Sequence, residues 1–214
     1  MSLPLKIDFV SDVSCPWCVI GLNAFEQALA RLPMTVDATF HFQPFELNPD
    51  MPPEGQDITE HIAQKYGATA EQSAANREAI RARGEALGFT FSMAKRGRIY
   101  NTFDAHRLLH WAELKGKQYA LKRALFVAYF TEGRDPGSRD VLLSVAYAVG
   151  LDTVQAAAIL DSDAFSDDVR ERERFYLDQN IHSVPAIIIN DRYLLQGGQP
   201  VEAFEAALLQ ILSK

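Results

Sequence analysis

Apolar residues along the chain follow two different rhythms, and the switch between them divides it. Leu5–Val10 is a short apolar run that predicts a buried strand. Leu22, Phe25, Leu29 and Leu32 then recur at helical spacing. Met34, Val36, Ala38, Phe40 and Phe42 alternate with more polar residues, which predicts a half-buried strand ending at Gln43. Strand, helix, strand is a βαβ unit with an expected right-handed crossover. Gln43–Gly55 holds four prolines and is expected to leave the sheet as a long connection.

From about Asp57 to about Gln179 the rhythm is helical. Asp57 or Thr59 starts a short helix ending at Gly67. Thr69 with Gln72 forms a capping-box-like start to a helix running to Leu87, with Gly88 at its end. Further helices are expected over Thr102–Leu114, Gln118–Thr131, Asp140–Val149, Thr153–Leu160 and Asp167–Leu177. The two-residue rhythm then returns. Val184–Ile189, the turn Asn190-Asp191 and Arg192–Gln196 form a hairpin. Gly197-Gly198 breaks it, and Pro200 opens a last helix with Phe204, Leu208 and Leu212 on its core stripe. The expected division is residues 1–50 with 180–214 as one α/β domain, and 51–179 as an inserted helical domain. No repeat of fixed period interrupts this order.

Composition narrows the picture. A 48% hydrophobic fraction in 214 residues is ample for a globular core. The net charge of −7 argues against nucleic-acid or anionic-membrane partners. No run reaches 18 apolar residues, so no transmembrane helix is expected. The opening Met1–Lys6 lacks the basic and apolar regions of a secretory signal, so a cytoplasmic location is expected. The basic stretch Lys95–Arg98 reads as a solvated loop, and Arg170–Arg174 as a solvated helix face.

The candidate chemistry lies at Ser14-Cys15-Pro16-Trp17-Cys18, which contains both cysteines of the chain. Placed between a strand and a helix, this spacing is the setting for redox chemistry. Cys15 falls at the N-cap and Pro16 at the first helical position, where a missing N–H costs nothing. The helix amides and dipole then favour the Cys15 thiolate, making Cys15 the exposed nucleophile. Cys18, three residues on, shares its face and can resolve a mixed disulfide. Two inert buried cysteines, or half of a zinc site, are the plainer alternatives; the zinc reading lacks a second thiol cluster. Asp12 is close enough to oppose thiolate formation, unless it is merely solvated at the strand end. Trp17 is expected to cover the pair and offer an aromatic surface.

These features together resemble the thioredoxin fold with a large all-helical insertion (βαβ…ββα), as in the DsbA family of thiol–disulfide oxidoreductases. The resemblance is carried by Asp12–Cys18, Phe45–Pro49, Asn101–Arg107, Ser183–Pro185 and Gly197–Pro200, and is nearest the FrnE-like branch, related to 2-hydroxychromene-2-carboxylate isomerases. It implies that Cys15 and Cys18 are catalytic, with Ser14, Pro16 and Trp17 in support. It further implies a cis Val184–Pro185 bond beside Cys15, where the Val184 backbone pairs with an extended substrate. Asn101 and His106 are suggested by the resemblance alone as wall residues facing the thiol. The relatives of isomerase type carry a serine-type site, whereas both cysteines are present here.

The expected activity is a cytoplasmic thiol–disulfide oxidoreductase acting on protein or small-molecule thiols and disulfides. No cofactor is expected to be bound; glutathione is a candidate co-substrate, and the protein is a monomer or homodimer. A second hypothesis is a glutathione-dependent isomerase or transferase for an aromatic small molecule. A third is a metal module using Cys15, Cys18 and His106 or His110, the two histidines standing four apart on one helix. Leu108, Leu109 and Trp111 beside them favour ordinary packed histidines, so no metal is expected.

Overall fold

The computed structural model describes residues 3–213; Met1, Ser2 and Lys214, which the opening segment and outer domain bounds include, lie outside the described residues. Strand β1 (Leu3–Ser11) is central in a four-stranded sheet of order β2-β1-β5-β6. It pairs in parallel with β2 (Val36–Pro44), Ile7 opposite Phe40, and antiparallel with β5 (Ala186–Ile189), Ile7 opposite Ile189. Strand β6 (Tyr193–Gln196) closes the hairpin. Its turn residues Asn190 (φ 50°) and Asp191 (φ 56°) both adopt the left-handed conformation that a two-residue hairpin turn needs.

Helix α1 (Pro16–Arg31) ends one residue before Leu32, which caps it, and packs beside the last helix of the chain, Val201–Leu212. Phe25 and Phe204 meet edge to face at 5.3 Å, a favoured aromatic arrangement. The last helix begins after Pro200, which is its N-cap rather than its first residue.

Between β2 and β5 the chain is mainly helical. Helix α2 (Ile58–Tyr66) is capped by Asp57, whose carboxylate accepts the Thr59 and Glu60 amides, and ends at Gly67 (φ 62°). Helix α3 (Ala70–Ala86) begins with the full Thr69–Gln72 capping box. Then follow α4 (Phe103–Leu114), α5 (Gln118–Phe126), α6 (Arg139–Ala148), α7 (Thr153–Leu160) and α8 (Ser166–Asp178); the last helix is α9. Leu108, Leu121, Leu125 and Leu142 share a core with Val13. The residue two before Cys15 is thus anchored in the helical block.

Several local expectations change. The helix expected over Gln118–Thr131 widens after Phe126 into a π turn at Val127–Thr131, with the Glu132 amide bonded to the Val127 carbonyl at 3.0 Å. There the Phe130 carbonyl accepts the Ser92 amide, and the Tyr129 hydroxyl donates to the Arg98 carbonyl. Two-residue strands β3 (Gln56–Asp57) and β4 (Arg98–Ile99) form a short ribbon, too brief for any periodicity to announce.

Two charge runs are solvated only in part. On α8, Glu173 is buried, and Arg170 binds both Glu46 and Glu173 while lying 3.9 Å over the Phe103 ring. Arg172 reaches Gln43 and Glu113 at 2.9 and 3.2 Å. The helix packs across β2, so its charges need partners there. In Lys95–Arg98, Arg96 is buried over the Tyr129 and Phe130 rings, because the π turn presents both rings to that loop.

Candidate active site

Cys15 has the extended conformation of an N-cap (φ −89°, ψ 113°), and Pro16 occupies the first turn of α1. Cys15 and Cys18 are free and buried, at 3% and 0% exposure, so attack on either sulfur depends on the cleft above Cys15. Cys15 Sγ lies 3.8 Å from the Val184 carbonyl oxygen, and the Val184–Pro185 bond is cis. Ser14 is buried; its amide donates to Asp12 Oδ1 at 3.0 Å. Trp17 is half-buried, with the Arg83 guanidinium 5.2 Å from its ring.

The two thiols are electrostatically unequal. The hydrogen bond from Cys18 holds the Cys15 thiol below its ordinary value; burial opposes this, the Cys18 and Trp17 amides assist, and Asp12 works against it. Burial pushes the Cys18 thiol well above its ordinary value, with the bond to Cys15 adding to the rise and Lys122 opposing it. Cys15 is therefore the group that ionises first, and Cys18 the proton donor beside it.

Asp12 is fully buried, not solvated at a strand end. Burial raises its pKa, but the nearby His106 ring and the Leu47 and Ser14 amides more than reverse this, leaving it below its ordinary value. The two amides are its hydrogen bonds, at 2.7 and 3.0 Å; His106 Nε2, at 3.8 Å, is too far for one. Asp12 thereby ties the Cys15 loop to the 45–49 connection.

Lys122, on α5, was not anticipated. It is fully buried, its Nζ 3.5 Å from the Ser11 carbonyl and 5.1 Å from the Phe126 ring centre. Burial lowers its pKa to about 8, opposed by its attraction to Cys18, Asp12 and Cys15. The signal was positional: Gln118, Lys122, Leu125 and Tyr129 share one helical face, and all are buried.

Ser14, Cys15, Pro16, Trp17 and Val184 open onto a cleft of about 570 Å³. Asn101 and His106 are not in its lining. Asn101 instead donates to the Met51 carbonyl and accepts the Phe103 amide, while His106 is buried behind the wall against Asp12. Residues of α2, α3 and the 92–99 loop build the far wall, among them His61, Lys65, Arg77 and Arg96. His110 packs on Phe165 with ring centres 5.1 Å apart. Among the described residues no three His, Cys, Asp or Glu side chains gather as a metal site, and no helix is long and apolar enough to cross a membrane.

The family described as DSBA-like thioredoxin domain matches residues 6–209. The uncharacterized protein YwbO of Bacillus subtilis is 27% identical over 207 residues, spanning 96% of each chain. The crystal structure of a probable DsbA oxidoreductase from Streptomyces coelicolor superposes with a TM-score of 0.92 at 31% identity, covering 98% of this chain and 91% of that one. The cytosolic disulfide reductase DsbM from Pseudomonas aeruginosa, solved with GSH, shares the fold at 16% identity and a TM-score of 0.66, over 98% of this chain and all of that one (100%).

Proposed function

The chain belongs to the DsbA-like thioredoxin family, and from that premise we propose that it is a thiol–disulfide oxidoreductase with Cys15 and Cys18 as its redox centre. The observation that carries this reading is the inequality of the two thiols: Cys15 is lowered and opens onto the cleft, while Cys18 is raised and enclosed. Ser14, Pro16 and Trp17 hold the first turn, and Val184 with Pro185 offers backbone to the partner.

The Cys15 thiolate attacks one sulfur of a partner disulfide. That S–S bond breaks, one partner sulfur leaves with the electron pair and takes up a proton, and the other stays bonded to Cys15. Cys18 then loses its proton and attacks Cys15 Sγ, releasing the second partner thiol. One disulfide is reduced to two thiols, and the protein dithiol is oxidised to the Cys15–Cys18 disulfide. Two equivalents of a low-molecular-weight thiol such as glutathione restore the pair. The reverse sequence oxidises a partner dithiol, and the reduction potential against the thiol pool selects the direction. A reducing compartment, the cytoplasm, suits a pair recycled in this way.

The test is a redox titration of the purified protein combined with turnover of a disulfide-bonded protein such as insulin. A two-electron transition is expected, lost with turnover in Cys15→Ser; full activity in that variant sinks the mechanism. Cys18→Ser is expected to accumulate mixed disulfides with its partners.

The size of the cleft favours one other reading, a glutathione-dependent isomerase or transferase for an aromatic small molecule. That reading predicts turnover that survives Cys18→Ser, since only one sulfur position is then needed.

A further inference from the structure

A guanidinium is a cation in proteins, and that of Arg96 belongs to a side chain that is nine-tenths buried. Its guanidinium sits over the Tyr129 and Phe130 rings at 5.1 and 5.0 Å, and Nη2 reaches the Ser14 carbonyl at a long 3.4 Å. Its buried Nε meets no acceptor, and among the described residues no carboxylate forms an ion pair with it. Buried charges are ordinarily paired, and the one other buried guanidinium among the described residues follows that rule: Arg107 binds Asp104 and three carbonyls.

The position of this unmatched cation is specific. Arg96 lines the same cleft as Cys15, together with Lys65 and Arg77. Lys65 donates to the Leu47 carbonyl and Asn48 Oδ1, both uncharged. The single carboxylate in that lining, Glu46, is already bound by Arg170. A chain of net charge −7 therefore lines the cleft onto which Cys15 opens with three cations. His61 responds to the same field: burial, then Lys65 and Arg96, lower its pKa. The volume suits a small ligand.

We propose that Arg96, with Lys65 and Arg77, is a carboxylate-binding subsite, and that the cleft selects low-molecular-weight disulfides bearing carboxylates. The guanidinium fork matches a carboxylate in two parallel bonds. The anion supplies the counter-charge that the chain withholds, while the ligand sulfur rests on Cys15. This rests on the oxidoreductase reading for its chemistry, but the binding of the anion does not.

Two measurements separate them. Reduction of 3,3′-dithiodipropionate and of the neutral bis(2-hydroxyethyl) disulfide is compared, each rate divided by that with a free small thiol. The dicarboxylate is expected to win by tenfold or more at low salt, and the ratio to fall toward one in high salt and in Arg96→Gln. Suberate, of the same chain length without sulfur, is titrated calorimetrically into Cys15→Ser protein. It is expected to bind, and at least tenfold more weakly once Arg96→Gln is added; Arg77→Gln carries the same test if Arg96→Gln does not fold. Absent suberate binding, or binding that these changes leave alone, overturns the subsite even if both disulfides are reduced. Suberate binding with neither disulfide reduced keeps the subsite and sinks the oxidoreductase reading instead.

Discussion

Helix α1 approaches Pro185 so closely at Gly21 that an added Cβ there would stand 2.9 Å from the Pro185 Cγ. The glycine is needed for that contact, since its backbone is ordinary helix. Gly21→Ala must push back the segment that brings the Val184 carbonyl to Cys15. Overpacking of this kind costs about 1–3 kcal/mol. A lower denaturation midpoint is expected, together with slower disulfide exchange at unchanged thiol content. Unaltered exchange would show that the 184–185 segment does not position the partner.

The bond from Cys18 is the leading cause of the lowered Cys15 thiol. Cys18→Ala should therefore shift the Cys15 titration upward, followed by thiolate absorbance against pH. Cys18→Ser, which keeps an O–H donor, should shift it less. If the alanine and serine variants titrate alike, the helix amides rather than Cys18 set the thiolate.

Lys122→Met removes a buried charge and keeps the side chain's length. The folded lysine titrates near 8 against an ordinary 10.5, so the wild type carries a penalty for the charged form below pH 8. That penalty diminishes as pH rises from 8 to 10.5, where the unfolded chain holds the extra proton. Near pH 7 the variant is expected to be more stable by about 1–3 kcal/mol, with the gap closing at high pH. Loss of the cation also leaves Cys18 harder to ionise, so release of the mixed disulfide should slow more than its formation. Chemical denaturation across pH and stopped-flow kinetics check the two halves.

Glu46 titrates near 7, pushed up by burial and by the Glu173 carboxylate sharing Arg170. Because its folded pKa lies above the unfolded value, its contribution is intact at pH 4 and lost as pH climbs toward 7. Glu46→Gln should match wild type in stability near pH 4 and exceed it by about 1–3 kcal/mol at pH 8. Parallel stability curves over that range would mean that Glu46 ionises like a surface carboxylate.

Element order was readable because each element carries its own local signature. Thr69 with Gln72, Asp57 with its following amides, and Asn190-Asp191 are contained in a few consecutive residues, and folding left them in place. The thiol pair was readable for the same reason: Cys15, Pro16 and Cys18 lie within one turn. What escaped depends on which surfaces meet. Arg96, Lys122 and Glu173 are charged residues whose burial comes from the packing of remote segments, so the expectation of solvation failed for Arg96 and Glu173, and nothing local marked Lys122. Asn101 and His106 lie near the site along the chain fold, yet their side chains turn to the 49–51 loop and to Asp12. The cleft wall comes instead from α2, α3 and the loop bearing Arg96, where no motif marks it.

Cys15 and Val184 are 169 residues apart. On a ribosome adding about 5–20 residues per second, roughly 10–30 s separate the emergence of the thiols from that of the segment that rests against them. The central strand must also wait for β5, its neighbour on one side. For that interval the newborn chain carries a bare dithiol with no cleft to select what reaches it. Protection during synthesis must then come from the surroundings, and the cleft is complete only once the last seventh of the chain, from Val184 on, is being made.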